Sequence, residues 1–447
     1  MPWRPSKPAP AGCLSDGGDK CPGTKPLTVA AGVVYNQKKR GRGANRMLRL
    51  CRRCVMPDTK PDLQFDQGGV CVACRSYENR KEVDWPSRKR DLDRLLDRYR
   101  SKDASRWDCI IPVSGGKDSF FQTIRILQMG LNPLCVNATT CQLSPIGRRN
   151  LDNLKQLGVD VLEFSPNPLV RHKLNRIGLS MVGDMTWPEH VGIFTIPVRV
   201  AVQYNIPLIV WGENSQHEYG GPALAAENNY LDRRWLEEFG GLLGLRVSDL
   251  IGLEGLQKRH ILPYIYPSDE QIKAVGVTGI FLGYYVAWDG FTNSLVAQTQ
   301  GWEAWPHTVE GSALDYENLD NLLHGIHDYL KYIKFGFGRA TDHVCMQIRR
   351  NRLGREDGLE IVKRHDGKFP WTYLGKPLKE LLEPLELSVE EFTKICDRFT
   401  NKNIFKKDSQ GNLLRDKDGN LQRIDPQPWD IPAQNNQTKP VSQKVAL

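Results

Sequence analysis

Residues 112–119 read PVSGGKDS, between the apolar run DCIIPV and the helix-like FFQTIRILQMG. A glycine-rich turn that feeds a helix start presents several backbone N–H groups at the positive end of the helix dipole, and together these form an anion cradle. Gly115 and Gly116 let a phosphate approach the backbone closely, while Ser114 and Ser119 supply hydroxyl donors. Lys117 adds a cation, and Asp118 can hold Mg2+ or fix the loop by hydrogen bonding. The spacing differs from the Walker A pattern G-x4-G-K-[ST], which is built around the β- and γ-phosphates. A second constellation lies upstream, where Cys51–Cys54 and Cys71–Cys74 form two C-x2-C pairs sixteen residues apart. Two such turns brought together offer four thiolates in a tetrahedron, the arrangement of a structural Zn2+ site. With no fifth ligand in view, the expected zinc is closed and non-catalytic.

The elements that must position these residues follow from hydrophobic periodicity. DCIIPV, LNPLCVNA, VDVLEFS and IPLIVWGE read as buried strands; FFQTIRILQMG and PIGRRNLDNLKQLG read as helices closed by Gly130 and Gly158, and IFTIPVRVAVQYN reads as a further helix. The alternation predicts an α/β fold with a doubly wound parallel sheet over residues 105–300. Before it come a small zinc ribbon at 47–85, with D-Q-G-G as hairpin chemistry, and an amphipathic linker helix within 86–104 that aligns Leu92, Leu95, Leu96 and Tyr99. After it, residues 301–410 are expected to be mainly helical, with Ser388 and Glu391 forming a capping box. Residues 411–447 suggest a hairpin around D-G-N and a polar disordered tail.

The 447 residues carry a formal charge of +9, yet residues 1–46 alone hold nine Lys/Arg against two Asp/Glu. That leaves 52 basic and 50 acidic groups for the remainder, so the folded body lacks the basic surface of a nucleic-acid binder. The first 46 residues read as a disordered basic leader and make a poor signal peptide. No apolar run is long enough to span a bilayer. Eleven cysteines, four of them in metal-binding spacing and the rest mostly scattered, fit a reducing compartment and predict a cytoplasmic protein.

SGGKDS resembles the PP-loop, S-G-G-x-D-S, of the N-type ATP pyrophosphatases. That resemblance implies a HUP-like fold with strand order 3-2-1-4-5, cleavage of ATP between the α- and β-phosphates, and an adenylated substrate. It places WGEN (211–214) beside the loop, so that Gly212, Glu213 and Asn214 face the phosphates and Glu213 can bind Mg2+. It also places VNATT (136–140), including Asn137, at the adenine.

More specifically, residues 47–405 resemble the N-acetyl sugar amidotransferases of bacterial surface-polysaccharide pathways. The likeness rests on CRRCVMPDT, GVCVAC, PVSGGKDS, WGENSQHEYGGP, GYYVAWDG and FGFGRATDHVCMQIRRNRLGRE. It implies that the acetamido oxygen of a nucleotide-linked N-acetyl sugar is adenylated and replaced by ammonia, giving an acetamidino group with release of AMP and pyrophosphate. Lys117, Asp118, Glu213 and Arg339 are then the expected catalytic groups, with ATP, Mg2+ and Zn2+ as cofactors. Tyr219, Gly220, Gly221, Tyr284, Tyr285, Trp288 and Asp289 are the expected sugar-nucleotide contacts. The chain carries no glutaminase motif, so the resemblance also implies a separate glutaminase and an ammonia-channelling barrel protein. The alternative is a PP-loop sulfur transferase acting on tRNA or a small molecule, but Cys109, Cys135 and Cys141 lack the paired spacing expected beside such a loop.

Overall fold

The apolar runs become strands whose alternate residues face two different layers. The computed structural model describes residues 48–79, 83–213 and 243–429, together with the backbone of 230–231. Five strands run parallel: β1 (Cys109–Pro112), β2 (Pro133–Ala138), β3 (Asp160–Phe164), β4 (Leu208–Trp211) and β6 (Thr278–Phe281). A short β5 (Tyr230–Leu231) pairs antiparallel at the edge, giving the order β3-β2-β1-β4-β6-β5. Ile110 aligns with Leu134 on one side and Ile209 on the other, so β1 is central and its carboxyl end lies beside those of β2 and β4.

In β1 the side chains of Cys109 and Ile111 join one core and that of Ile110 joins another, as the two-residue period of a strand requires. On the first face pack α3 (Lys117–Gln128) and α4 (Pro145–Lys155), along with much of the C-terminal half. On the second lies α6 (Trp187–Tyr204), through Ile196, Val198, Val200 and Ala201. An α/β sheet covered on both faces results. Between β3 and α6 runs α5 (Pro168–Val182), capped by Asn167 and closed by Gly183 in the left-handed region.

Helix α2 (Trp85–Tyr99) buries Leu92, Leu95 and Leu96 in the first core. Helix α7 (Gly290–Gln298) lies against α3. Then come α8 (His324–Phe335), α9 (Arg339–Arg349), α10 (Arg355–His365) and α11 (Val389–Phe399), the last with the Ser388/Glu391 capping box formed at both ends. The four-cysteine segment ends in α1 (Val72–Asn79), which puts Cys74 in a helical first turn. This segment shares one core with Phe337, Val344, Cys345, Ile348 and Val362, so it packs on α9 and α10. Trp429 reaches back to donate its indole N–H to the Leu50 carbonyl, 2.8 Å away, and Phe405–Arg423 and Arg415–Leu421 pair antiparallel beyond α11. All the described elements belong to one compact unit.

Candidate active site

The loop between β1 and α3 has the conformation its glycines allow. Gly115 sits at φ +87°, where a side chain is strained, and a Cβ there would lie 3.0 Å from the Gly147 carbonyl oxygen of α4. Its own carbonyl accepts from the Trp302 indole at 2.9 Å. Gly116 caps α3 without a side-chain hydrogen bond, which leaves the backbone N–H groups of the first turn for another acceptor. Ser114 Oγ accepts from Gly116 N at 3.2 Å and Ser119 Oγ donates to the Gly116 carbonyl at 2.8 Å, fixing the turn from both sides. Asn137, at the end of β2, donates to the Val113 carbonyl at 2.6 Å and so ties the loop's approach strand to its neighbour.

Lys117 is only 4% exposed, and its ammonium lies 2.7 Å from Asp118 and 2.7 Å from Glu317. Burial alone would depress its pKa; the two carboxylates reverse this and hold it well above the usual lysine value. Gly290 makes room for the pair, since a Cβ there would stand 3.2 Å from Lys117 Cε. Asp118 is held on its other oxygen by Asn293, at 2.8 Å. Burial would raise the pKa of Glu317, but the Lys117 ammonium opposes this and the pKa is lowered. His343 itself is pushed down to about 4, chiefly by burial, so its 3.7 Å contact with Glu317 is one between a neutral imidazole and a carboxylate near pH 7. Its Nδ1 meets Ser312 Oγ at 3.2 Å, whereas Nε2 is buried without a hydrogen-bond partner.

Beyond Glu317 lies a cluster of charges. Arg339, opening α9 after the Gly336-Phe337-Gly338 turn, grips Asp328 with two contacts of 2.9 and 3.2 Å. Lys331 pairs with Asp342, and Lys60, from between the two cysteine pairs, approaches the same group: burial pushes Lys60 down and Asp342 opposes that. The start of α9 is held by Asp366, which accepts from Gly338 N at 2.7 Å and from Thr341 Oγ1. A carboxylate at a helix N-terminus complements the dipole there.

The four cysteines are buried and free of disulfides, with all four Sγ atoms within 4.8 Å of one another. Cys54 and Cys71 sulfurs stand 3.8 Å apart, the edge of a tetrahedron whose metal–sulfur bonds are about 2.3 Å. A zinc ion therefore fits this buried cluster. Hydrogen bonds from Cys345 and the other three thiols hold Cys54 well below the ordinary thiol value, and those same shared protons push Cys71 up. Arg349 is buried beside the sulfurs, and the guanidinium of Arg355 donates to the Cys51 and Cys54 carbonyls at 3.3 and 3.2 Å.

The other expected residues divide. Gly212 and Glu213 directly follow β4, and Trp288 packs its ring over Gly212 while meeting Phe121 edge-on at 5.4 Å. Tyr285 is core, and Tyr284 lies over Arg88 of α2, whose guanidinium also takes its carbonyl at 2.7 Å. Asp289 turns its carboxylate to Arg350 and Arg352, at 3.1 and 2.6 Å. Asn214, Tyr219, Gly220 and Gly221 lie outside the described residues. Glu317, Asp328, Lys331, Lys60, Asn293 and Trp302 escaped sequence reasoning, because each reaches the loop or its charge network from a remote part of the chain.

Fold and site thus define an α/β protein with a glycine-rich loop at a strand–helix junction and a buried four-cysteine cluster that could bind zinc. Residues 304–416 match a family model described as "LPS biosynthesis protein WbpG-like, C-terminal domain". The match supports a role in lipopolysaccharide biosynthesis, and it spans Glu317, Asp328, Lys331, Arg339, Asp342 and His343. None of the curated proteins compared matches the chain. Among the described residues, no helix is long and apolar enough to cross a membrane.

Proposed function

We propose that this protein is a cytoplasmic, ATP-dependent amidotransferase of surface-polysaccharide biosynthesis, with the PP-loop fold. It adenylates the acetamido oxygen of a nucleotide-linked N-acetyl sugar and lets ammonia displace AMP, giving an acetamidino group and pyrophosphate. The observation that carries this reading is the loop itself: an uncapped helix start, a left-handed glycine and a buried lysine at the carboxyl end of the central strand. An amide oxygen is a hopeless leaving group, and converting it to a phosphate ester solves that difficulty.

In this mechanism the N–H groups of the first turn of α3 and the Lys117 ammonium hold the departing phosphates and spread their charge. Asp118, Glu213 and Glu317 are the carboxylates able to hold Mg2+, which when bound neutralises phosphate charge and orients the chain for in-line attack. Asn137 lines the adenine side at the end of β2. Arg339 and its neighbours Lys60 and Lys331 offer cations to the sugar nucleotide's diphosphate, and Trp288 offers an apolar wall. The four-cysteine cluster binds a structural zinc that braces α9 and α10. Ammonia comes from a partner glutaminase through a barrel protein.

The sulfur-transfer alternative finds no support in the cysteines near the sheet. Burial pushes the thiol of Cys135 up to about 12 and that of Cys109 well above normal, which makes both poor nucleophiles. The test is incubation with ATP, Mg2+, ammonium and a UDP-linked diacetamido sugar, followed by mass spectrometry and nucleotide analysis. Exchange of one oxygen for NH with matching AMP is expected, and Cys109→Ser, Cys135→Ser and Cys141→Ser should keep that activity. ADP with orthophosphate, or a thiolated product from a sulfide donor, would overturn the assignment.

A further inference from the structure

Away from the loop, three side chains from separate elements point ligand atoms at a common centre. Asp184 follows the left-handed Gly183 that closes α5, His190 lies in the first turn of α6, and His327 lies in the first turn of α8. The Nδ1 atoms of His190 and His327 stand 3.1 and 3.2 Å from the two oxygens of the Asp184 carboxylate, and the rings lie 5.1 Å apart. All three ligand atoms fall within 4.8 Å of one another.

We propose that Asp184, His190 and His327 form a second metal site, which takes one divalent ion of the zinc class. Metal–nitrogen and metal–oxygen bonds of about 2.0–2.1 Å set ligand atoms roughly 3.3 Å apart in a tetrahedron, and each Nδ1 already stands near that distance from one of the two carboxylate oxygens. The donor set is also selective. Two imidazoles with one carboxylate suit zinc, cobalt or nickel, whereas Mg2+ and Ca2+ prefer oxygen alone.

The surroundings are those of a built site. Asp184 is buried, and one of its oxygens accepts from Thr186 N and Thr186 Oγ1, both at 2.9 Å, which fixes the carboxylate before any ion arrives. The two imidazoles are partly exposed, 28% and 23%, so the trio lies near the surface and is not sealed in the core. Three protein ligands with water completing the shell is the pattern of an open zinc site, unlike the closed set of four sulfurs. The ion would join the α5–α6 turn to α8, the helix that also carries Asp328 and Lys331. The rival arrangement is metal-free, with Asp184 accepting hydrogen bonds from both rings and Thr186 Oγ1 meeting His327 Nδ1 at 2.8 Å.

The two arrangements separate by titration of the full chain, first stripped of labile metal, with Zn2+ and with Co2+ alone. The protein should take one equivalent more than its four-cysteine cluster holds. Co2+ on four sulfurs gives intense sulfur-to-metal charge-transfer absorption, whereas Co2+ at Asp184, His190 and His327 gives only weaker visible bands. His190→Ala and His327→Gln, on different helices so that one misfolded variant does not end the test, should each lose one equivalent and those visible bands while keeping the charge-transfer absorption. Thr186→Val should weaken the second site by about 10–100-fold, as loss of an outer partner typically does. Uptake by the wild type of only the cysteine-bound equivalent, or unchanged uptake by both histidine variants, would overturn the proposal in favour of the hydrogen-bonded trio.

Discussion

Lys117 meets one carboxylate from its own helix turn and another from far along the chain, so its charge is fully matched in this structure. Glu317→Gln removes the distant partner while keeping its shape. The AMP-forming rate should fall by on the order of 10²-fold, as for loss of one preorganised charge contact, and Lys117→Ala should fall at least as far. A steady-state assay beside circular dichroism separates this from unfolding; unchanged turnover in folded Glu317→Gln would remove Glu317 from the site. His343 yields a pH prediction with a definite sign. Its folded pKa of about 4 lies below the 6.5 of the free side chain, so between these values the unfolded chain binds the extra proton. The stability linked to His343 is complete above pH 6.5, declines as pH falls and is lost by about pH 4. Denaturant titrations across that window should show a shallower acid decline in His343→Gln than in the wild type.

At the scale of elements, the loop owes its shape to its neighbours as much as to its own sequence. Gly115→Ala places a methyl against the α4 backbone and a left-handed φ on a residue with a Cβ, costing roughly 1–2 kcal/mol or more. Both the unfolding midpoint and turnover should drop; a stable, fully active variant would show that the loop is not held as described. The elements nearest the loop were legible because their apolar runs are short, bounded by glycine and alternate with amphipathic helices. DCIIPV, LNPLCVNA and VDVLEFS became β1, β2 and β3, and Ser388 announced the start of α11. Helix α5 and strand β6 were harder to see. Val170, Leu174 and Ile177 have helical spacing but face a small core of their own, and TGIF is too short for a period to show. Glu317 was invisible for a different reason: it lies outside regular structure, and its partner is fixed only by tertiary folding.

Across the whole molecule, the four-cysteine segment is continuous with the core of α9 and α10, and Arg355 and Arg349 tie those helices to it. Cys51→Ala, or removal of metal by a strong chelator, should therefore lower global stability as well as zinc content. Zinc analysis with thermal unfolding checks this, and a metal-free variant of wild-type stability would contradict it. The cysteine spacing foretold the cluster, but nothing in that spacing foretold that the same segment would deliver Lys60 to a charge group near Arg339.

The anchoring of the Gly115 carbonyl by Trp302, of Asp118 by Asn293 and of Lys117 by Glu317 also bears on how the chain is made. A ribosome releases the loop long before it releases these three partners. At about 5–20 residues per second, the interval between Lys117 and Glu317 lasts roughly 10–40 s. Throughout it the early strands can pair, but the lysine has only Asp118 beside it and the turn has no indole to hold it. A later-synthesised part of the polypeptide thus finishes an earlier-synthesised loop, and a product terminated between β6 and Trp302 would carry the sheet without a finished loop.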